Sequence, residues 1–581
     1  MKIQSIIIAT LLATQLSHAK NNLSLAEVKK VLSEQEYKQY THELWQKDRK
    51  KAKVTDYSDL LKNNQLGNSL TAGPGPDCDF PNILTAINFA ASGDSIFIAD
   101  STYEGLEAKL TINKDLSLIG GLDSNCQVFT VNRTKLQLNG PGPAVEIDVS
   151  GGRTVTLSGL DISNTQEDIK NDYNSGVHIT GNGNVTIGNT HLHNNNAFDG
   201  GGLSVIGGAT VILNENTEIY NNTVSRYGGG IFCGSSFIYA YDVAIGKIMD
   251  NNDLGNKAVN DGSSGGGIYA NSCEITLGET VFGNGPVEIN YNQGQLGAGI
   301  FTLNSILNFS HESSQLNFNK SSIGNLGNGN AVVASGNSQI FLNDLKVSDN
   351  FEGNTIQISG TSHLAMGSTC SKPPCSMIQR NQGSSIALLN QASADISQTL
   401  ISDNSSPLSV ISINGTNQNG LKMNNSIISN NTSNSSSQSI ISTNSNVLLE
   451  FENMTIAHND TYGSIVTGFG NGGLINFNGG IIWGNIAINL TDENFIGVLN
   501  VSNSVIQYNP AGMINTLFGD PLFVNPESSD FHIQYDSPAR DLFDSNLIND
   551  FEGDGRPQGN ADDAGADEWT DLIFKNSFEQ D

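Results

Sequence analysis

The sequence predicts an all-β chain built as a solenoid, a coil of short parallel strands, preceded by an N-terminal helical segment. Three observations predict it. Charged residues make up only 15% of the 581 while glycine is abundant at 62, a composition too apolar for disorder and too glycine-rich for a helical protein. From about residue 150 to 505 short apolar runs alternate with polar residues, the period of strands rather than helices. A triplet of glycines also returns with an apolar residue behind it, in "NNNAFDGGGLSV", "NNTVSRYGGGIFCG" and "GSSGGGIYANS".

The elements follow in chain order. Residues 1–19, "MKIQSIIIATLLATQLSHA", carry one cation (Lys2), an apolar stretch from Ile3 to Leu12, and Ser17 and Ala19 at the −3 and −1 positions of a cleavage site. This reads as a secretory signal peptide, and its apolar run is too short to span a bilayer. Residues 20–70 form a helical segment and linker, with Ser24 and Glu27 as a capping box. It reads as a solvated stalk, or as a helix docked through Leu44 and Trp45. "TAGPGPDCDF" marks a boundary, and residues 71–125 form the cap of the coil. There a helix at about 82–91 precedes the strands "SIFIA", "AKLTI" and "LSLIG" and covers the apolar end of the stack. Repeats occupy 126–515, a closing segment 516–570 and a tail 571–581.

Aligned on the third glycine, the repeats read Gly176-Val-His, Gly202-Leu-Ser, Gly230-Ile-Phe, Gly267-Ile-Tyr, Gly299-Ile-Phe and Ala331-Val-Val, at spacings of 26, 28, 37, 32 and 32. Between them recurs a strand, a shorter strand and then asparagine, as in "ATVILNENTEIYNN". Strands this short cannot bury one face alone. Stacking successive turns at about 4.8 Å buries the inward alternate residues in one core. Glycine then serves positive-φ turns and close approaches between turns, and stacked asparagines hydrogen-bond along a column. Eleven or twelve turns can be counted, a rod of roughly 60 Å.

This pattern resembles the right-handed parallel β-helix superfamily. "GDSIFIADSTYEG…LSLIGG" is similar to the opening of pectate-lyase-like β-helices. The "GGGI" and "NN" repeats resemble those of polymorphic outer-membrane proteins. "GDPLFVNPESSDFHIQYDSPARDLFD…NDFEGDGRPQGNADDAGADEW" resembles the DPLF, SPA and DxGAxE closing segment of bacterial secreted β-helix proteins, with Glu552 where a second Asp is usual. "DLIFKNSFEQD" resembles a short IFxxGFE tail of exported proteobacterial proteins, with Ser577 in place of glycine. The resemblance implies export to the exterior or outer-membrane surface of a Gram-negative-type bacterium.

Six cysteines suit an exported chain, and the simplest of the fifteen pairings is sequential: Cys78–Cys126, Cys233–Cys273 and Cys370–Cys375. Net charge is −30, but residues 20–62 hold ten basic against seven acidic residues, so the body is more acidic still. Such a body repels nucleic acid, anionic lipid and polyuronate unless divalent cations bridge them.

One column stands out as a ligand site. After the glycines come His178, Ser204, Phe232, Tyr269 and Phe301, outward by parity, and Phe232, Tyr269 and Phe301 could stack on sugar rings. The competing readings are that loops cover them or that they only rigidify the strand through cross-strand packing. Before the glycines lie Asp172, Asp199, Arg226 and Asp261. Asp199, Arg226 and Asp261 are the catalytic candidates for glycosidic cleavage, against a reading as solvated turn residues. Arg133, Arg153, Arg226 and Arg380 are too scattered to supply the basic residue a lyase of this fold would need. His191 and His193 in "NTHLHNNN" point the same way, a spacing that can bind a metal, but no third ligand is visible and the pair reads as solvent-facing. No cofactor is required. The acids Asp550, Glu552, Asp554, Asp562 and Asp563 are candidates for a Ca²⁺ staple, Asp550, Glu552 and Asp554 foremost.

The functional reading is therefore an exported adhesin or scaffold that binds carbohydrate or a host or neighbouring cell surface, with no nucleic acid and no transmembrane span. The competing reading is a polysaccharide lyase or glycoside hydrolase working in a groove of the coil.

Overall fold

The structure is a computed structural model that describes residues 67–569 except 168–173, 250–251, 322–330, 371–372, 408, 416–418, 434–438, 444–446, 469–472, 488, 492–497 and 509–512. The signal peptide, most of the 20–70 segment with Leu44 and Trp45, Asp172 and the 571–581 tail lie outside the described residues.

A strand of four or five alternating residues has one apolar row and nothing of its own to cover it. The chain covers it with the next turn. One turn runs from Leu203–Ile206 on a first face to Thr210–Asn214 on a second and Thr217–Tyr220 on a third. It then passes through Thr223–Tyr227 in a narrow strip and returns at Ile231–Gly234, beside its start. Leu203 pairs in parallel with Ile231, and Ile231 with Ile268. Among the described residues the first face holds thirteen strands, the second and third sixteen each, and the strip five. This is an all-β parallel β-helix, right-handed by the crossover rule for parallel strands. At about 4.8 Å per strand, sixteen strands rise about 70 Å.

The faces hold more strands than the turns counted from the repeats. The first turns, through Asp94–Ala99, Leu110–Ile112 and Leu116–Leu122, stack in the same register without the triple glycine or the asparagine. Inside the coil, rows such as Val185, Val211, Ile238, Ile275, Leu307 and Ile340 are essentially unexposed. At one end of this core sits helix Ile83–Phe89, capped by Asn82, whose side chain accepts a hydrogen bond from Thr85 N. Its Ile83, Ala86 and Ile87 join the core.

The triple glycines do two different jobs. The first of each takes positive φ, +63° at Gly200, +69° at Gly228 and +67° at Gly265. The second lies against the next turn: a Cβ on Gly229 would stand 2.4 Å from Gly266 O. The paired asparagines also divide the work. Asn194, Asn221 and Asn430 take the left-handed φ that turns the corner. Their successors Asn195, Asn222 and Asn431 point inward and are buried. Asn195, Asn222, Asn256, Asn292, Asn319, Asn350, Asn381, Asn404, Asn431, Asn459 and Asn485 form one ladder. The backbone N–H and Nδ2 of each donate to Oδ1 of the next, at 2.9–3.2 Å. The ladder thus satisfies backbone donors that the corner would otherwise orphan in the interior.

The three disulfides are Cys78–Cys126, Cys233–Cys273 and Cys370–Cys375, the sequential pairing.

The closing segment packs along the side of the coil. Phe523, Phe531, Phe551, Ala564 and Ala566 form a second core with Ile427, Ala457, Ile481 and Val505, outward residues of the third face. Gly565 N donates to Gly479 O at 2.8 Å, and Ala566 N to Thr455 Oγ1 at 3.0 Å.

Candidate functional site

Register places the first-face column as parity requires: His178, Ser204, Phe232, Tyr269 and Phe301 are neighbours on successive turns. Yet Phe232 is only 9% exposed and Tyr269 only 6%. The rings lie face to face, Phe232 to Tyr269 at 5.6 Å and Tyr269 to Phe301 at 5.2 Å, both with an interplanar angle of 4°. Tyr227 stacks on Tyr269 as well, at 4.4 Å. The faces a sugar would need are occupied by neighbouring rings, so this column stiffens the sheet. His178 is buried too, and burial holds its imidazole down at about 4.

The strip brings Asp199 and Arg226 together. Arg226 Nε lies 3.1 and 3.2 Å from the Asp199 carboxylate oxygens, its NH2 group binds the same carboxylate, and Tyr227 N donates to it at 3.0 Å. The guanidinium stacks 4.4 Å over Phe198. Asp199 has no exposure and Asp261 is left on the surface, so the three do not form an acid/base constellation. Arg133 donates to Asn189 O, Arg153 pairs with Asp148, and Arg380 pairs with Asp349.

On the third face the structure assembles a cluster that separate motifs do not announce. Asp161, His191 and Glu218 align across three turns, as do Ser163, His193 and Tyr220. His193 Nε2 lies 2.9 Å from Asp161 Oδ1, and His191 Nε2 lies 3.0 Å from Glu218 Oε2. Lys247 Nζ reaches Glu218 at 2.6 Å and sits 3.8 Å over the Tyr220 ring, on which His193 stacks at 4.8 Å. Burial alone would raise Glu218, but hydrogen bonds from His191 and Lys247 outweigh it and bring the carboxyl down to about 2. Burial, then the charges of Asp161 and Glu218, push Tyr220 up to about 12. The two histidines thus engage separate carboxylates on neighbouring turns.

The second face carries several outward rings, of which Phe237 is exposed and Tyr239 and Phe341 are half-buried. Phe237 and Ile306 are each 40% exposed, with Glu274 between them in register. Two residues further along the same strands, on the same outward side, run Tyr239, Thr276, Asn308 and Phe341. Of these four turns the first and fourth present rings, and the two between them present a carboxyl, a hydroxyl, an amide and the Ile306 side chain. The alternation in "FIYA", "EITLG", "ILNFS" and "QIFLN" was the available signal.

In the closing segment the acids separate into two roles. Asp550 accepts from Asp554 N at 2.8 Å and Glu568 N at 3.1 Å, which shapes the loop. Asp563 likewise accepts from Asp541 N and Trp569 N, both at 2.7 Å. Glu552 instead meets His532 and Asp567: one ligand atom from each lies within 4.8 Å of the others. Of the three acids foremost for Ca²⁺, only Glu552 belongs to this group. Asp344 also lies beside Cys370 and Cys375, but those sulfurs are joined in a disulfide.

No protein-family model and no curated protein matches this sequence. Among solved structures, the crystal structure of pectate lyase Pel9A aligns with 88% of this chain and 99% of that chain, at 14% identity and a TM-score of 0.22. The fold assignment accordingly rests on the sheet topology described above.

Proposed function

We propose that this protein is an exported, surface-associated or secreted scaffold that binds carbohydrate on the second face of its coil, without catalysing a reaction. The observation that carries the reading is the set of outward apolar side chains on four stacked turns of a rigid sheet, Phe237 and Tyr239 on the first, Ile306 on the third and Phe341 on the fourth. Aromatic rings fixed by a sheet lose little entropy on contact, and the interleaved Glu274, Thr276 and Asn308 offer hydrogen bonds to hydroxyl groups. Strong acidity favours neutral glycans over polyuronates. The signal-like residues 1–19 and the three disulfides fit an oxidising exterior compartment. A glycan array on the purified chain tests this. Binding should fall at least tenfold in a Phe237→Ala/Phe341→Ala variant. Binding that survives this change, or no binding to any glycan, would rule the reading out.

The third-face cluster supports a second reading, a polysaccharide lyase or glycoside hydrolase, because it brings two carboxylates, two imidazoles and an ammonium onto adjacent turns. Release of reducing ends or unsaturated products from a polysaccharide panel, with and without Ca²⁺, distinguishes the two. Activity abolished by Asp161→Asn or His193→Ala would favour the enzyme.

A further inference from the structure

The closing segment holds a feature that the binding face does not require. The hydrogen bond from Phe551 N to Ala566 O, 2.8 Å, sets two stretches of chain side by side and brings the next residues of each, Glu552 and Asp567, together. His532, on the strand Asp530–Ile533, faces both. Its Nε2 lies 3.5 Å from Glu552 Oε1 and 3.9 Å from Asp567 Oδ1. Its other nitrogen, Nδ1, lies 2.5 Å from Asp530 Oδ1.

Two further observations point to a ligand. Asp567 is only 8% exposed, and with both groups ionised its Oδ2 and the buried Oε2 of Glu552 find no donor, since the hydrogen bond between the two carboxyls needs a proton on one of them. A buried carboxylate oxygen left without a donor is costly, the more so when the group is charged. Two carboxylates in contact at such a depth cannot both stay charged without a positive charge between them. The nearby guanidinium does not supply it directly, since Arg556 is bound to Glu568 at 2.6 Å.

We propose that His532, Glu552 and Asp567 bind a divalent transition-metal ion of the zinc class, which fastens the closing segment. One imidazole with two carboxylates is a borderline donor set that suits zinc better than calcium, whose sites are built from oxygen. Ligand atoms held at about 2.0–2.1 Å on a tetrahedron stand about 3.4 Å apart, close to the separations around Nε2. Asp530 fixes the ring and its tautomer from behind, the arrangement that metal-bound histidines commonly have. Water would complete the coordination. The ion neutralises the carboxylate pair and joins the strand Asp530–Ile533 to the two later stretches.

The test uses the full chain freed of metal with a chelator, then titrated calorimetrically with Zn²⁺, Mn²⁺ and Ca²⁺ in separate runs. One Zn²⁺ per chain should bind and raise the melting temperature. His532→Ala, at a half-exposed position, should weaken that binding at least tenfold and remove the thermal gain. Asp567→Asn should do the same. Failure of Zn²⁺ and Mn²⁺ to bind, or binding unchanged in His532→Ala, would overturn the proposal. So would preferred Ca²⁺ binding indifferent to His532. A more stable Asp567→Asn chain with no response to metal would identify a shared proton instead and overturn it too.

Discussion

The coil and its closing segment bury polar groups by opposite means. In the coil most buried polar side chains are neutral amides and hydroxyls, Asp94, His178, Asp199 and Asp344 aside, and the asparagine ladder repeats one hydrogen-bond pattern from turn to turn between Asn195 and Asn485. In the closing segment they are charged: Arg556 and Glu568 form an ion pair with side-chain exposures of 0% and 1%, beside Asp550, Asp562, Asp563 and Asp567. Repetition solves the satisfaction problem once and reuses the solution. A segment without a repeat must find a specific partner for every buried group, and charge supplies stronger, more directional ones.

The largest expected effect breaks the charged side. Arg556→Met strands Glu568 without its partner and should cost about 3–5 kcal/mol, while an Arg556→Met/Glu568→Met pair should recover much of that loss. Urea unfolding followed by tryptophan fluorescence reads it, since Trp483 and Trp569 both pack against the closing-segment core.

Next comes His178, a titratable group buried in the otherwise amide-rich coil. Its folded pKa of about 4 lies below the unfolded value of 6.5, so the folded chain favours the neutral ring. Stability is intact above about 6.5 and falls by up to about 3 kcal/mol as pH drops toward 4. The stability difference between His178→Asn and the parent chain should change with pH across that window. A constant difference would show that the ring does not titrate on unfolding.

The smallest effect sharpens the neutral side. Asn319→Ala removes the acceptor for Asn292 N and Nδ2, both at 3.1 Å, and the donor to Ile289 O. It should cost about 1–3 kcal/mol, and hydrogen exchange should quicken at Asn292 and Asn319 while amides many turns away stay protected. Loss of protection along the whole coil would show that the ladder acts cooperatively.

Much of the coil was legible because its signals are local. A helix at about 82–91 is found at Ile83–Phe89, and glycine and asparagine perform the turn and ladder roles that their chemistry suggests. The sites were less so. Phe232 and Tyr269 do share a column with outward parity, but parity does not reveal that Tyr227 and the neighbouring rings will cover them. Asp161, His193 and Tyr220 lie about a turn apart in sequence, and only register makes them touch. His532 sits in no acidic motif, so nothing marks it as the neighbour of Glu552 and Asp567.

The sequence by itself determined that this chain coils: strand alternation, positive-φ glycines and paired asparagines act within one turn, and every copy repeats the same instruction. It left fifteen disulfide pairings open, and the structure selected the sequential one. Only the tertiary structure decided which outward side chains remain open and which acids meet a histidine. Those outcomes depend on the registers between turns and on a non-repeating segment folding back along the third face, where the partners are set by distance in space rather than along the chain.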